Sequence, residues 1–265
     1  MDVGMNTLVY LCLCLFFLPL LFSCAGEVGP ASPFQLKPVD VPVFNSQKVP
    51  SSRRSKEVVA RVAPTLVSGL KDQSLSYGSP VFIRIFKEER ELEVWLRDGA
   101  RFKLFRTYAV AAMSGQLGPK LREGDRQAPE GFYFVPPSSM NPRSRFHLSF
   151  NLGYPNQYDQ SHGRTGSALM VHGAEASIGC FAMTDPKIEE IYAVVDAALR
   201  NGQRFFRVHC FPFRMTDANL RKHTESEWYS FWMNLKQGYD FFEDSGLPPN
   251  TVVRDRKYLF QAAND

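Results

Sequence analysis

The chain has 265 residues, enough for one domain of about 130–200 residues plus appendages. Hydrophobic residues make up 44% of it, an ordinary globular composition that allows a substantial core. The formal net charge of +4 is a mild basic excess, which suits an anionic envelope polymer or membrane surface and equally a solvated face with no partner. Because the sequence has no patch of basic and aromatic residues, nucleic acid is excluded from the expected partners.

The N-terminus is dominated by an apolar run at residues 8–22. A membrane-spanning helix needs about 20 residues, so this run is short for one and is typical of the apolar core of a signal peptide. Its flank is atypical, since Asp2 is the only charged residue before it. We predict a signal peptide at residues 1–24 and export to the periplasm or cell envelope, with an uncleaved membrane anchor as the alternative.

Cys24 lies at the end of this segment, within Ser23-Cys24-Ala25. These residues are similar to a bacterial lipobox, in which the cysteine is lipidated after cleavage, and they also fit simple cleavage after Ala25. Cys24 is therefore a candidate lipidation site, and contact with a membrane is expected only through this N-terminal anchor. In the body of the chain, we interpret Cys180 as a free thiol and Cys210 as a buried strand residue, rather than as a disulfide pair.

Residues 25–57 are rich in Pro and Ser and lack apolar periodicity, which predicts a linker that holds the body away from a membrane. The next segment, residues 58–78, is predicted to be helical because apolar residues recur at helical spacing. These apolar residues are Val59, Val62, Leu66 and Leu70. Pro64 lies within the segment and is expected to kink or end the helix.

Strand patterns dominate residues 81–211, within a predicted domain at residues 79–215. Short apolar or alternating runs predict strands at residues 81–86, 91–96, 102–110, 131–135, 146–150, 168–171 and 205–211. Asp98-Gly99 is a strong hairpin signal between the second and the third of them. We therefore predict a mainly β fold with flanking helices, of the α+β class.

Two amphipathic helices complete the pattern. The first is predicted to have Asp185 as its N-cap and Pro186 at its first position, and to end at Asn201-Gly202. The second covers about residues 225–243, in a helical C-terminal extension at residues 216–265. Its apolar stripe consists of Trp228, Phe231, Trp232, Leu235, Tyr239 and Phe242. We interpret this stripe as packing against the body rather than as a membrane face.

The strongest chemical signal is His172-Gly173, followed eight residues after the histidine by Cys180. An imidazole can take the proton of a thiol, and the thiolate is the nucleophile. Gly173 and Gly179 let the backbone turn tightly beside both residues, and the N–H groups around Gly179 and Cys180 could bind a developing oxyanion. These residues favour a cysteine acyl-transfer enzyme with Cys180 as nucleophile and His172 as general base.

The residues around this signal resemble a known family. The carriers of the resemblance are Pro119-Lys120, Glu123-Gly124-Asp125, residues 128–133, Asn141-Pro142, residues 146–150, residues 153–156, Asp159, residues 163–166 and residues 172–185. On these residues the chain resembles the L,D-transpeptidase catalytic domain (YkuD-like), and in particular its YafK-type branch. The resemblance covers about residues 81–216. It implies a β-sandwich catalytic domain that acts on peptidoglycan stem peptides.

By this resemblance, Cys180 attacks the carbonyl of an L,D bond at a diaminopimelate-type residue and forms a thioester acyl-enzyme, with no metal and no cofactor. His172 is the general base for Cys180 and then the general acid for the leaving amine. Ser177 corresponds to the Ser/Thr of the family's S-x-G-C element and is expected to organise the loop. An amine acceptor then gives a new cross-link or protein attachment, whereas water gives hydrolysis.

Two departures from the family pattern affect the prediction of which group, an amine or water, accepts the acyl group. Many members carry a histidine two residues before the cysteine, where this chain has Ile178, and many place the first histidine farther upstream. Both departures resemble the YafK-type branch, which is associated with hydrolysing the bond that tethers an envelope lipoprotein to peptidoglycan. A wall-anchored lipoprotein is therefore an alternative partner, and its release is an alternative function. A cell-wall-binding module with an idle cysteine and histidine is the alternative from a different class.

Four further residues are candidate substrate contacts. Arg164 and Arg143 lie in loops between strands and could bind the carboxylates of a stem peptide, since arginine pairs with carboxylates in a bidentate way. His147 lies in a predicted strand, where a substrate role competes with a structural one. Asn156 could shape the cleft or simply form a turn. His209 is interpreted as structural, and the spacing of the His and Cys residues matches no tight pair of zinc ligands.

Overall fold

The structure is a computed structural model and describes residues 48–262. The predicted signal peptide, the candidate lipidation site Cys24 and most of the predicted linker lie outside the described residues. Within residues 48–262, no helix combines the length and the apolar character that crossing a membrane requires.

Residues 48–262 form five α-helices, eleven strands and a short 3-10 turn at Pro137–Ser139. The helices are α1 (Arg53–Lys71), α2 (Gln157–Ser161), α3 (Asp185–Arg200), α4 (Asp217–Arg221) and α5 (Tyr229–Ser245). The strands are β1 (Val81–Phe86), β2 (Glu91–Asp98), β3 (Arg101–Ala109), β4 (Gly131–Val135), β5 (Met140–Asn141), β6 (Ser149–Asn151), β7 (Met170–His172), β8 (Phe181–Ala182), β9 (Phe206–Phe211), β10 (Asn250–Arg254) and β11 (Lys257–Gln261).

Two sheets share one core. The larger sheet has the order β3-β2-β1-β9-β4, in which β1 and β9 run parallel and the other neighbours run antiparallel. The smaller sheet has the order β5-β6-β7-β8, with β7 and β8 parallel. The rings of Phe150 in β6 and Phe206 in β9 lie 5.2 Å apart, so the sheets meet in a common hydrophobic cluster. Helix α3 contacts both sheets. The predicted α+β fold class is confirmed.

The hydrophobic pattern located the strands of the larger sheet well. Strands β1 and β4 have the predicted bounds, and the alternating residues Leu92, Val94 and Leu96 of β2 are fully buried. The Asp98-Gly99 signal is confirmed as the turn between β2 and β3. Burial of one face fixes the register of such a strand, because a shift by one residue would turn every apolar side chain outward.

Helix α1 begins earlier than predicted and continues through its proline. Ser52 caps it: Ser52 Oγ accepts from the Ser55 N–H at 3.1 Å, and Ser55 Oγ accepts from the Ser52 N–H at 2.9 Å. This capping box fixes the first turn. Of the two effects expected of Pro64, ending the helix is wrong, because Pro64 lies exposed inside α1. The hydrogen bond that proline removes is offset by packing on both sides of it, since Val58 and Leu66 are buried.

Two local predictions are wrong. His147 does not lie in a strand, because β6 begins at Ser149 and His147 has a φ of 68° in the preceding loop. Helix α3 has Thr184 at its N-cap, and Asp185 is its first residue. The Asp185 carboxylate instead accepts a hydrogen bond from the N–H of Ala174 at 2.8 Å. That bond ties the start of α3 to the loop after β7.

The C-terminal part contains a hairpin that the sequence did not indicate. Strands β10 and β11 pair antiparallel, and β11 contacts α5. The turn Asp255-Arg256 has positive φ at both residues, 49° and 60°, which is the twist of a tight two-residue hairpin. Because the usual Asn-Gly or Asp-Gly is missing from this turn, the hairpin lacks its ordinary sequence signal.

Helix α5 packs its apolar stripe against the larger sheet. Trp232, Leu235 and Phe242 are buried, and the ring of Phe242 lies 4.8 Å from that of Phe82 in β1. The prediction that this stripe packs against the body is confirmed. Burial of so many large rings makes α5 a part of the core rather than a surface attachment.

A buried ion pair joins α5 to the sheet and to the loop before β4. The side chains of Lys87, directly after β1, and Glu130 are 2% and 0% exposed, and Nζ and Oε1 lie 2.9 Å apart. Lys87 Nζ also donates to the Gly118 carbonyl at 2.7 Å, and Glu130 Oε2 accepts from Trp232 Nε1 at 2.8 Å. Both buried charges are thus hydrogen-bonded as well as paired, which such a pair needs in order to persist.

Replacement of Glu130 by Gln is expected to destabilise the fold strongly. The variant keeps the shape of the side chain but leaves the Lys87 ammonium buried without its counter-ion, a loss of about 3–5 kcal/mol. Urea unfolding, followed by circular dichroism, would record this loss as a lower midpoint at an unchanged slope.

Glu57→Gln is the matched control. Glu57 pairs with Arg53 on α1, and the two side chains are 67% and 92% exposed. An exposed pair contributes about 0–1 kcal/mol, so this variant should unfold close to wild type. Equal midpoints for the two Glu→Gln variants would show that the buried pair does not stabilise the fold.

Candidate active site

Strands β7 and β8 bring the backbones around His172 and Cys180 together. The strands pair in parallel with Val171 opposite Phe181 and His172 opposite Ala182, and Cys180 directly precedes β8. The Met170 N–H, two residues before His172, donates to Cys180 Sγ at 3.4 Å. The thiol therefore lies against the backbone of β7, two residues before the imidazole along that strand.

The backbone carbonyl of Gly173 orients the imidazole of His172. His172 is 1% exposed, and its Nδ1 lies 2.5 Å from the Gly173 oxygen. A carbonyl accepts but does not donate, so Nδ1 carries the proton and Nε2 remains as the basic nitrogen. The ring of Phe146 covers the imidazole, with ring centres 4.6 Å apart. Burial lowers the pKa of His172 below its usual 6.5, so the imidazole is neutral near pH 7 and able to take a proton.

Cys180 is a half-buried thiol that is protonated at rest. Burial raises its pKa above the usual 9.0, while the Met170 N–H and the charge of Lys120 act in the opposite direction. Its Sγ donates to the Ala168 carbonyl at 3.7 Å. Among the hydrogen bonds of residues 48–262, none joins Cys180 to His172. The resting pair is therefore neutral, and contact between the two groups has to tighten when a substrate binds, as is common in catalytic sites.

Ser177 and Gly179 shape the loop that ends at Cys180. Ser177 Oγ donates to the Cys180 carbonyl at 2.7 Å, which closes a tight turn. Gly179 has a φ of 85°, a conformation that residues with a side chain rarely adopt. Its N–H donates to Ser114 Oγ at 2.7 Å. Of the two amides that the sequence suggested for an oxyanion, that of Gly179 therefore already has a partner.

Gly173 and His147 lie close together beside the start of α3. A Cβ at Gly173 would lie 2.5 Å from Asp185 Oδ1 and 3.0 Å from the Cβ of His147, so no other residue fits there. The imidazole of His147 is turned to α3, where Nε2 lies 2.9 Å from Glu189 Oε1. In this arrangement His147 fixes its loop to α3, and a contact with substrate stays a prediction.

The other candidate substrate contacts differ in accessibility. Arg164 is 7% exposed, and its Nη1 lies 2.8 Å from Asp159 Oδ1, so its guanidinium already binds a carboxylate of the protein. Asn156 caps helix α2 through its side-chain oxygen. Arg143 is exposed in the loop after β5. The roles of all three in binding stay predictions, and Arg143 is the one that a substrate carboxylate could reach without displacing a protein partner.

Two residues of the loop at residues 114–128 contact the site: Ser114, which was not among the candidates from the sequence, and Lys120, which was named there only as part of the family resemblance. Ser114 Oγ donates to the Arg126 carbonyl at 2.6 Å while it accepts from the Gly179 N–H, so it fastens this loop to the loop that ends at Cys180. Lys120 is 4% exposed and pairs with Asp125 at 2.5 Å. Both residues precede Cys180 by sixty positions or more, and spacing within the sequence carries no signal for such contacts.

Cys210 and His209 belong to the core. Both thiols of the described residues are free, and Cys210 is fully buried in β9, where burial raises its pKa far above the usual value. His209 packs between the rings of Phe82 and Phe132, each 4.6 Å away. In the part of the chain that the structure describes, no group of three or more His, Cys, Asp or Glu residues is arranged to hold a metal ion.

A groove of about 560 Å³ lies beside the backbone segment that contacts the thiol. Its walls include Ala168 and Met170, the two residues whose backbone groups contact Cys180 Sγ. At its other end the groove is bounded by Ser139 and Gly153. A ligand in this groove would therefore lie next to the strand segment that holds the thiol.

The L,D-transpeptidase catalytic domain family (YkuD) matches this chain at residues 80–245. A protein of Escherichia coli (strain K12) with the name "Putative L,D-transpeptidase YafK" is 47% identical over 182 residues, which cover 69% of this chain and 74% of that protein. The protein of the same name from Escherichia coli O157:H7 matches to the same extent. The segment that matches the family contains both His172 and Cys180 and ends with helix α5.

Two solved structures resemble the chain at a distance. The helical cell shape determining protein Pgp2 from Campylobacter jejuni has a TM-score of 0.41 at 14% sequence identity, with 76% of this chain and 80% of that chain covered. Bd1075 of Bdellovibrio bacteriovorus has a TM-score of 0.40 at 18% identity, with 67% and 78% covered. Both likenesses are weak.

In the folded protein, iodoacetamide is expected to label Cys180 and to spare Cys210, because Cys210 is fully buried. The labelling rate should increase as the pH rises toward the raised pKa of Cys180, since the thiolate is the reactive form. Peptide mapping by mass spectrometry after a short exposure would measure both sites. Unfolding in urea is the control, in which both thiols should react alike. Faster labelling of Cys210 in the folded state would contradict this assignment of the accessible thiol.

Proposed function

The chain belongs to the L,D-transpeptidase catalytic domain (YkuD) family, and we propose that it is a cysteine-dependent enzyme that acts on peptidoglycan stem peptides through a thioester acyl-enzyme. One observation carries the proposal: the Gly173 carbonyl holds the Nδ1–H of His172, while the Sγ of Cys180 lies on the Met170 N–H, two residues before His172 on β7. A nucleophile, a base and a group that orients the base are the parts that nucleophilic catalysis requires.

Acylation uses these parts in order. The neutral Nε2 of His172 takes the proton from Cys180 Sγ as the sulfur attacks the carbonyl carbon of the L,D bond. The oxygen of that carbonyl becomes an oxyanion, for which the Cys180 N–H is the nearest candidate donor. The carbon–nitrogen bond then breaks, and the imidazolium of His172 returns its proton to the leaving amine. The products are a thioester on Cys180 and a neutral imidazole.

The acceptor decides which reaction follows. An amine that attacks the thioester gives a transpeptidation product, the activity in the name of the Escherichia coli relatives. Water gives hydrolysis, and the departure at Ile178, which resembles the YafK-type branch, favours release of a protein that is attached to peptidoglycan. Ile178, two residues before Cys180, is 72% exposed. Because this residue is an isoleucine, it supplies no second imidazole to assist either acceptor. Both versions share the same acyl-enzyme.

The location follows from the substrate. Peptidoglycan lies in the cell envelope, so the enzyme has to be exported, and the signal peptide predicted at residues 1–24 would serve this purpose. Lipidation of Cys24 would keep the enzyme at the membrane, with residues 25–57 as the tether.

Sacculi that still carry their attached lipoprotein are the substrate for the decisive test. The protein without its signal peptide is expected to change them, and the Cys180→Ala variant to lose this activity by about 10³-fold or more, because no other nucleophile is proposed. Mass spectrometry of the released and retained peptides identifies the products. Lipoprotein released with a remnant of the wall peptide means hydrolysis, and new direct cross-links or exchanged terminal residues mean transpeptidation.

The control for folding is the thermal unfolding midpoint of Cys180→Ala, which should equal that of wild type. Equal activity of the two proteins would remove Cys180 from the mechanism. No product with either protein, together with binding to sacculi, would favour the alternative of a wall-binding module.

The pH dependence of kcat/KM should show a broad plateau. His172 must be neutral to act as base, and its pKa is lowered by burial, so the acid limb is expected below pH 6.5. Above the raised pKa of Cys180, the thiol has lost the proton that His172 would pass to the leaving amine. The alkaline limb is therefore expected above pH 9.0. Rates with a soluble stem-peptide substrate between about pH 5 and pH 10 would measure both limbs. An acid limb above pH 6.5 would contradict a buried, neutral base.

A further inference from the structure

A second cavity adjoins the groove whose walls include Ala168 and Met170. It has a volume of about 320 Å³ and shares Ser139 and Gly153 with the groove, so a ligand could extend from one into the other. Unlike the groove, it is mainly apolar and aromatic, with walls from β4 and from the hairpin β10–β11. The apolar residues of its lining are Phe132, Tyr133, Phe134, Pro136, Val253 and Tyr258. The mechanism proposed for Cys180 does not use this cavity.

The walls of the cavity are fixed in place. The side chain of Asn156 donates from Nδ2 to the Tyr258 hydroxyl at 2.8 Å and to the Phe132 carbonyl at 2.9 Å, which ties the hairpin to β4. The rings of Tyr258 and Phe132 pack at 4.9 Å, and Tyr258 is 2% exposed. A cavity with walls held in this way is preformed, so a ligand does not have to order them on binding.

The floor of the cavity is the edge of a sheet. Strand β4 is the last strand of the larger sheet and pairs with β9 alone in that sheet. The Phe132 carbonyl accepts a hydrogen bond from Asn156 Nδ2, so the peptide groups of Phe132 point away from β9. Backbone groups alternate along an antiparallel strand, and Phe134, two residues later, therefore turns its peptide groups the same way, toward the cavity that it lines. An edge of this kind is a template for an extended peptide.

We propose that this cavity is a subsite for a polypeptide arm joined to the stem peptide. The arm lies extended along the edge of β4 and places one large apolar or aromatic side chain between Phe134 and Val253. This inference rests on the proposed function, and it names the second half of the substrate. The hydrolytic version of that function has such an arm on the leaving-group side of the scissile bond.

The chemistry of the cavity distinguishes this arm from the other parts of the cell wall. A diaminopimelate-type residue ends in charged ammonium and carboxylate groups, which lose their hydration in an apolar cavity without a paired partner. Glycan strands present hydroxyl groups that need several polar partners. A protein segment supplies both features that the cavity matches, namely backbone groups for the strand edge and an apolar side chain for the walls.

Three probes test the proposal. All three have the same stem peptide with a diaminopimelate residue, and they differ in the group that is amide-linked to the L-centre carboxyl of that residue. This group is D-alanine in the first probe and a short polypeptide arm with one phenylalanine in the second. In the third probe it is the same arm with alanine instead of the phenylalanine. The wild type should favour the phenylalanine arm over the alanine arm in kcat/KM by about tenfold or more, the usual gain from filling an apolar pocket.

Val253→Trp, which fills the cavity, should abolish this preference. Val252→Trp is the matched control, because Val252 lies on the same strand and its side chain points to the opposite face of the hairpin. The control should keep the preference of the wild type. Thermal unfolding midpoints of both variants show whether the hairpin is intact, and a Thr251→Phe variant provides a second way to fill the cavity if Val253→Trp does not fold.

The outcomes separate this inference from the proposed function. Equal kcat/KM for the two arms in the wild type, or a preference that survives in Val253→Trp, would overturn the subsite. If the wild type turns over none of the probes, the proposed function fails, and the subsite is tested by binding alone. In that measurement, fluorescence anisotropy of the free labelled arms with Cys180→Ala protein should give tighter binding of the phenylalanine arm. Equal binding of both arms would overturn the subsite there too.

Discussion

The buried ion pair of Lys87 and Glu130 holds together the parts of the molecule from which the site is built. Lys87 follows the central strand β1, Glu130 precedes β4, and Glu130 also accepts a hydrogen bond from Trp232 of helix α5. Lys87 donates to the carbonyls of Gly118 and Ala128, so the pair closes the base of the loop at residues 118–128. Charges in an apolar interior persist only with such a full set of partners, and this requirement fixes the loop relative to the sheet.

Ser114 joins this loop to the candidate active site. Its hydroxyl links the Arg126 carbonyl to the Gly179 amide, next to the thiol of Cys180. The position of the thiol therefore depends on contacts that begin in the core and on the pairing of β7 with β8. Burial also sets the protonation of the site, because it lowers the pKa of His172 and raises that of Cys180. Both groups are neutral near pH 7, and a neutral imidazole is the form that acts as a base.

The hairpin β10–β11 has a similar double role. Asn156 joins Tyr258 of this hairpin to strand β4 through two hydrogen bonds. The hairpin held in this way adds to the core and also encloses the second cavity. Two of the four candidate substrate contacts have partners within the protein: Arg164 is paired with Asp159, and His147 is paired with Glu189. The local sequence does not reveal such partners, because folding brings them from other parts of the chain.

The fold class and the strands of the larger sheet could be predicted because alternation and apolar runs record which face of an element is buried. The helix α3 and the apolar stripe of α5 were predicted for the same reason. The start of α1, the strand at residues 146–150 and the C-terminal hairpin were missed or misplaced. At these places a capping box, a residue with positive φ and an unusual turn decide the structure, and none of them changes the hydrophobic period.

The sequence by itself determined the secondary structure of the core and the identity of a thiol and an imidazole eight residues apart, since these depend on local pattern and on residue type. The tertiary structure alone decided which groups surround them. Parallel pairing of β7 and β8 brings Cys180 Sγ to the Met170 N–H near His172, Ser114 occupies the Gly179 amide, and the C-terminal hairpin encloses a cavity beside the groove. These contacts join residues far apart in the chain, and their energies come from burial and hydrogen bonds that exist only once the core has formed.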